Sequence, residues 1–328
     1  MSLPLVAIAF EPEEDAVRDV FIEVLGDKSD LVFLPTLDDA TRNKAIAEAK
    51  ALLVRGFSAD PAKQLDPTMF AGKLVQTMIA GVDQLPFDDL PADAKIAHNG
   101  GAFAPQMAEH IVGMVLAAKK DFLGNHTSMQ QGEWRQWKRM RELKGDTCLI
   151  IGYGGIGKAT ANLIRAFGVR VEALNRSGRT DAPTDFIGTL DDLHTAIARA
   201  DVVVLSCGLN AQTKGLINAA ALAQAKDDAI LVNVARGGVI EEADLFAHLK
   251  ATPTFWACLD TWWGEPYRDG KFAEERPFVE LPNVLGSPHN SGITVGYFID
   301  AARHAATNVV RYLETGQADR LVTPADRP

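Results

Sequence analysis

Strand-like and helix-like segments alternate along the whole chain, and this restricts it to a parallel α/β architecture. Residues 5–10, 30–35, 51–55, 74–79 and 95–98 read as short apolar strands. Between the first two, Ala16, Val17, Val20, Phe21 and Leu25 share one helical face. A long helix is predicted over 105–121, with Met107, His110, Ile111, Met114, Val115 and Ala118 on one side; His110 there reads as structural. Residues 147–151 then form an apolar run continuous enough for burial on both faces. From this point the alternation restarts more regularly. A helix over 156–167 is followed by strands at 169–174, 202–206, 230–234, 255–260 and 284–287, and a last amphipathic helix covers 294–313. Pro, Gly and charge mark 180–184 and 263–277 as loops.

A chain of 328 residues is about twice the usual domain length, so two domains are expected. Thirty-three Lys and Arg against 43 Asp and Glu leave a net charge of −10. Such a surface repels polyphosphate backbones and anionic lipid, which argues against nucleic acid and membrane as partners. The apolar run 111–118 ends at Lys119 and Lys120, too short to span a bilayer. Acidic residues from Glu11 onward follow the first apolar run directly, which argues against a signal peptide. Cys148, Cys207 and Cys258 each sit in an apolar run; three buried cysteines suit a reducing compartment, and the cytoplasm is expected.

Gly152-Tyr153-Gly154-Gly155-Ile156-Gly157 carries the G-x-G-x-x-G spacing between a predicted strand and a predicted helix. The first glycine permits the tight turn, the second lets backbone N–H groups approach a pyrophosphate, and the third lets helix and strand pack closely. The next strand ends at Asn175, where an acid would hold the adenosine ribose and repel a 2′-phosphate. Asn175 is neutral, and Arg176, Ser177 and Arg179 follow as phosphate donors, so NADP(H) is favoured over NAD(H). The histidines lack ligand spacing, and no metal is expected.

Three later strands end in polar residues on the side where α/β folds bind ligands: Arg236 after Asn233-Val234-Ala235, Asp260 with Glu265 in the loop beyond, and His289 after Ser287-Pro288. With Gln76 to Asp83, Ala108-Glu109-His110 and the glycine turn, these segments resemble the D-isomer-specific 2-hydroxyacid dehydrogenase family along nearly the whole chain. The loop Cys207-Gly208-Leu209-Asn210, where many members carry a proline, departs from the pattern, as does the tandem Trp262-Trp263.

The resemblance implies a role for each residue. His289 would give a proton to the keto oxygen of a 2-keto acid, and Glu265 would fix its tautomer. Arg236 would hold the substrate carboxylate and polarise the carbonyl. The N–H groups of Ala80 and Gly81 form the family's other carboxylate clamp, with Arg55, Met78, Phe103 and the tryptophans shaping the pocket. Asp260 accepts from the nicotinamide carboxamide, and Cys207, Val234 and Ala235 line the cofactor.

The fold implied is α/β with two doubly wound parallel sheets: a flavodoxin-like substrate domain (1–99 plus 291–328) and a Rossmann cofactor domain (100–290). The 105–121 helix and the stretch Trp134-Arg135-Gln136-Trp137-Lys138-Arg139 resemble the family's dimerisation region, read as an exposed or interface helix, and a homodimer is expected. The activity expected is NADP(H)-linked reduction of a small 2-keto acid such as glyoxylate or hydroxypyruvate; the Trp pair either narrows the substrate space or caps the core. The alternatives are an NAD(H)-using dehydrogenase for a larger acid and a dinucleotide-sensing corepressor-like protein.

Overall fold

A computed structural model describes residues 2–12, 14–57, 65–266, 270–273 and 275–328. Its contacts divide the chain into two compact units, Met1–Phe103 with Val295–Arg327, and Ala104–Thr294. Both boundaries lie past the 99/100 and 290/291 positions read from the sequence. Asn99 belongs to the first unit because its amide donates to the carbonyls of Met78 and Ala301, and Ser291 belongs to the second because its N–H donates to Asp260.

In the first unit, β1 (Leu5–Ile8), β2 (Asp30–Phe33), β3 (Ala51–Val54), β4 (Leu74–Thr77) and β5 (Lys95–Ala97) form one parallel sheet in the order β2-β1-β3-β4-β5. This is the flavodoxin-like strand order. Helices α1 (Asp15–Leu25) and α2 (Asp39–Glu48) connect the first three strands. Val17, Val20, Phe21 and Leu25 of α1 pack with Ala301, Ala302, Ala305, Ala306 and Val309 of the last helix, where alanines let the two backbones come close. The strands are shorter than their apolar runs; after β2, for example, Pro35 opens a 3-10 turn at Leu34–Thr36 and ends the ladder.

In the second unit, α3 (Ala104–Lys119) and α4 (Phe122–Gln130) precede β6 (Thr147–Ile151), α5 (Gly155–Arg165), β7 (Arg170–Leu174) and β8 (Phe186–Gly188). Then come α6 (Leu193–Arg199), β9 (Val202–Leu205), α7 (Ala219–Leu222), β10 (Ile230–Asn233), α8 (Glu242–Ala251), β11 (Trp256–Leu259) and β12 (Val284–Gly286). Helix α9 (Tyr297–Thr315) returns to the first unit.

The second sheet is again parallel, in the order β12-β11-β10-β9-β6-β7-β8, a Rossmann arrangement extended by one strand. Strand order reverses between β6 and β9, the point where such sheets bind ligands. One face of the sheet carries Ile111, Val115 and Ala118 of α3 with Ala161 and Ile164 of α5, against Cys148, Ile150, Val204 and Val232. The other carries Leu193, Ala196, Ile197, Leu245 and Leu249 against Leu149, Val203 and Leu231.

One expectation is corrected, and one strand was not anticipated. Residues 134–139 are not a helix. Gly132, at φ +79°, ends α4, and turns follow that leave Trp134 76% and Trp137 86% exposed. Strand β8 lies just past the 180–184 loop, and it is too short to carry an alternation in the sequence. Of the loop read at 263–277, positions 267–269 and 274 lie outside the described residues.

Candidate active site

Sheet register assembles the site in the second unit. Asn233 of β10 lies opposite Leu259 of β11, which lies opposite Gly286 of β12. Arg236, Asp260 and His289 therefore follow three adjacent strand ends on the same side of the sheet. Leu259 leads directly into Asp260, which is wholly buried.

A buried carboxylate must be hydrogen-bonded to be tolerated. One oxygen of Asp260 accepts from the Ser287 hydroxyl (2.5 Å) and the Asn290 N–H (3.0 Å), and the other from the Ser291 N–H (3.2 Å). These use three of its roughly four acceptor positions. The Asp260 carbonyl accepts from the His289 N–H at 2.8 Å. Together these bonds fix His289 at φ +52°, a left-handed conformation that costs about 1–3 kcal/mol for a residue with a side chain.

The His289 ring then reaches Glu265, with Nδ1 2.9 Å from a carboxylate oxygen. The other Glu265 oxygen accepts from the Trp262 N–H at 2.7 Å, so a buried glutamate is held at both ends. Nδ1 is thus the ring nitrogen that faces Glu265.

Of the two readings of the Trp pair, the contacts favour the core cap. Trp262 is buried, its indole N–H donating to the Ser287 carbonyl (2.8 Å) and its ring edge-on to Phe272. Trp263 stacks on Phe278 at 5.0 Å and donates to the Ile240 carbonyl. Both rings cap the core.

Arg236 is set by its neighbour Asn233, which the sequence reading passed over. The Asn233 side chain accepts from the Ala235 N–H and donates to the Arg236 carbonyl, both at 3.0 Å, closing the turn that carries the guanidinium. Val234 and Ala235 in that turn are buried. An Asn at a strand end whose backbone must turn at once was the available signal.

The glycine turn joins β6 to α5. Gly152 has φ +99°, and a Cβ there would lie 2.5 Å from the Cys207 nitrogen. Gly152→Ala is therefore expected to lower stability by about 2 kcal/mol or more and to weaken dinucleotide binding, read by thermal unfolding and cofactor titration. Around Gly154 there is open space where a Cβ would stand. The first-turn N–H groups of α5, from Gly155, Ile156 and Gly157, have no intrahelical acceptor. An anion cradle of this kind suits a pyrophosphate. Tyr153 contributes backbone only, since its ring is buried and its hydroxyl donates to the Pro183 carbonyl.

Past β7, Asn175 donates to the Arg179 carbonyl and accepts from the Ser177 N–H, so its amide shapes the loop. Arg176, Ser177 and Arg179 are exposed on that loop. The proline-free loop after β9 is closed by Asn210 and Thr213, whose hydroxyl donates to the Gly208 carbonyl. Burial pushes the Cys207 thiol there up to about 11, so it stays protonated and neutral at physiological pH.

Arg55, Ala80 and Gly81 lie in the first unit. The Arg55 guanidinium stands over the Phe298 ring at 5.3 Å, Met78 is buried, and Phe103 packs beside Tyr297. The Ala80–Gly81 turn follows Ile79, whose carbonyl accepts from the Asn99 N–H.

A nucleotide cradle at the switch point and a carboxylate-backed histidine at neighbouring strand ends define a dinucleotide-dependent oxidoreductase. Residues 112–291 match the family model of the D-isomer specific 2-hydroxyacid dehydrogenase NAD binding domain. A hydroxypyruvate reductase of Thermotoga maritima is 30% identical over 252 residues, 75% of this chain and 79% of that one. A D-3-phosphoglycerate dehydrogenase of Mycobacterium tuberculosis is 30% identical over 330 residues, but the chain spans only 59% of its length. A crystal structure of a D-isomer specific 2-hydroxyacid dehydrogenase family protein from Aeromonas salmonicida superposes with a TM-score of 0.78 at 27% identity, covering 98% of this chain and 99% of that one. The chain belongs to the D-isomer specific 2-hydroxyacid dehydrogenase family, whose members are NAD(P)-dependent oxidoreductases.

Proposed function

We propose that this protein is an NADP(H)-dependent reductase of small 2-keto acids, of the glyoxylate or hydroxypyruvate type. The observation that carries the catalytic reading is the 2.9 Å bond between His289 Nδ1, past β12, and Glu265, past the adjacent β11, with the turn bearing Arg236 following the next strand, β10. His289 Nε2 delivers a proton to the keto oxygen and recovers it in the reverse direction. Glu265 keeps Nδ1 protonated and the ring oriented. The Arg236 fork holds the substrate carboxylate and draws electron density onto the keto oxygen. A bound nicotinamide supplies the hydride. Gly152 to Gly157 carry its pyrophosphate, Asp260 has an acceptor position left for a carboxamide N–H, and Cys207, Val234 and Ala235 line the pocket. In the first unit, Arg55 and the N–H groups of Ala80 and Gly81 are the proposed anion donors, so that unit is the substrate domain.

The cofactor preference rests on charge. The loop after β7 has no acid at Asn175, and the Arg179 guanidinium has no ion-pair partner among the described residues. Asn175→Asp is expected to lower kcat/KM for NADPH about tenfold or more and to raise it for NADH. Equal or better use of NADH by the unaltered protein contradicts the preference.

The small substrate is supported by the name of the Thermotoga relative and no longer by the Trp pair. A panel of 2-keto acids of increasing size, run with both reduced cofactors, tests it. Faster turnover of a large or phosphorylated acid overturns the small-substrate assignment.

A homodimer is proposed on the exposed Phe122, Leu123 and Met129 of α4 together with Trp134 and Trp137. Light scattering at micromolar concentration is expected to give twice the chain mass; a single chain's mass contradicts it. The three cysteines are unpaired, which fits the proposed cytoplasmic location.

A further inference from the structure

His110 does more than pack. It stands in the second turn of α3, and its Nε2 lies 3.0 Å from the Ser287 hydroxyl oxygen and 3.9 Å from Asp260 Oδ1. The single hydroxyl proton of Ser287 is already given to Asp260 at 2.5 Å, so toward His110 that oxygen can only accept. The contact therefore requires a proton on Nε2 of His110. A chain of donors then runs from the ring through the hydroxyl to a wholly buried carboxylate, each bond polarising the next. Among the described residues His110 is the one basic group within 4 Å of Asp260.

That carboxylate does a specific task. Its two oxygens take the N–H groups of Asn290 and Ser291, while the backbone carbonyl of Asp260 takes that of His289. Three successive amides thus turn toward one residue, and the turn they make is the left-handed one that presents the His289 ring to Glu265. We propose that His110 is a positioning residue: through Ser287 it anchors Asp260 against residues 289–291 and so holds His289 in its left-handed conformation. The catalytic consequence rests on the function proposed above, whereas the anchoring itself does not.

The test compares His110→Leu, His110→Gln and Ser287→Ala in the full chain. Glutamine places an N–H donor where the imidazole Nε2 stood; leucine keeps bulk without the donor. Amide hydrogen exchange at Asn290 and Ser291 is expected to speed up about tenfold or more in His110→Leu and Ser287→Ala, with β6 and β10 unchanged. In the same variants kcat is expected to fall about tenfold or more while KM for the dinucleotide moves less than about threefold. His110→Gln is expected to stay within about threefold of the unaltered protein in both readouts.

Unchanged exchange at these amides overturns the proposal, and so does faster exchange with kcat intact in an active enzyme. Should His110→Leu fail to fold, Ser287→Ala carries the same comparison. Should the unaltered protein turn over no 2-keto acid, the function proposed above fails, while the exchange data still decide the anchoring.

Discussion

Replacing His289 by asparagine is expected to lower kcat for 2-keto acid reduction by on the order of 10²–10⁴, with dinucleotide affinity nearly unchanged. Asparagine is the informative choice because it tolerates the left-handed backbone that His289 adopts at φ +52°. It also keeps an amide near Glu265, so the loop retains its anchor. What it lacks is a group that can give up a proton near neutral pH. The loss therefore reads proton transfer rather than folding, and unaltered thermal unfolding is the control. A loss below about tenfold means another group protonates the alkoxide.

Replacing Arg236 by lysine is expected to lower kcat/KM by about 10²–10³ although the charge is kept. The guanidinium is a planar fork that can bind a carboxylate and still direct an N–H at the keto oxygen; an ammonium presents one point charge. The backbone beneath it is unaffected, since Asn233 closes the turn through Ala235 and the carbonyl of residue 236. KM for the keto acid is expected to rise and kcat to fall together, because the residue serves both binding and polarisation. A rise in KM alone restricts Arg236 to the carboxylate.

The fold and much of the candidate site were legible for the same physical reason. A strand buried on both faces is written as an unbroken apolar run, as at Thr147–Ile151, so its end is visible and the residues just past it can be read. Arg236, Asp260 and His289 stood out because each breaks such a run. The glycine turn was legible because Gly152 occupies a conformation and a space that admit little else.

What the sequence hid depends on contacts between distant segments. His110 falls among apolar neighbours on α3, and only the packing of that helix places its ring beside Ser287, 177 positions later. Trp262 and Trp263 could be read as pocket walls or as a core cap, because a large ring in a loop has two directions to turn. Their indole N–H groups found the carbonyls of Ser287 and Ile240, which settles the direction inward. The 134–139 stretch read as a helix on composition, yet Gly132 ends α4 before it begins.

The central claim is that Arg236, Glu265 and His289 form one hydride-transfer site for 2-keto acids. Its most direct measurement is spectrophotometric consumption of reduced dinucleotide by the purified protein and its His289→Asn variant, each with glyoxylate, hydroxypyruvate and larger 2-keto acids. The account predicts turnover of at least one acid by the unaltered protein and loss of on the order of 10²–10⁴ in the variant, with dinucleotide bound equally by both. Dinucleotide binding without turnover of any acid, or equal turnover by the two proteins, contradicts it.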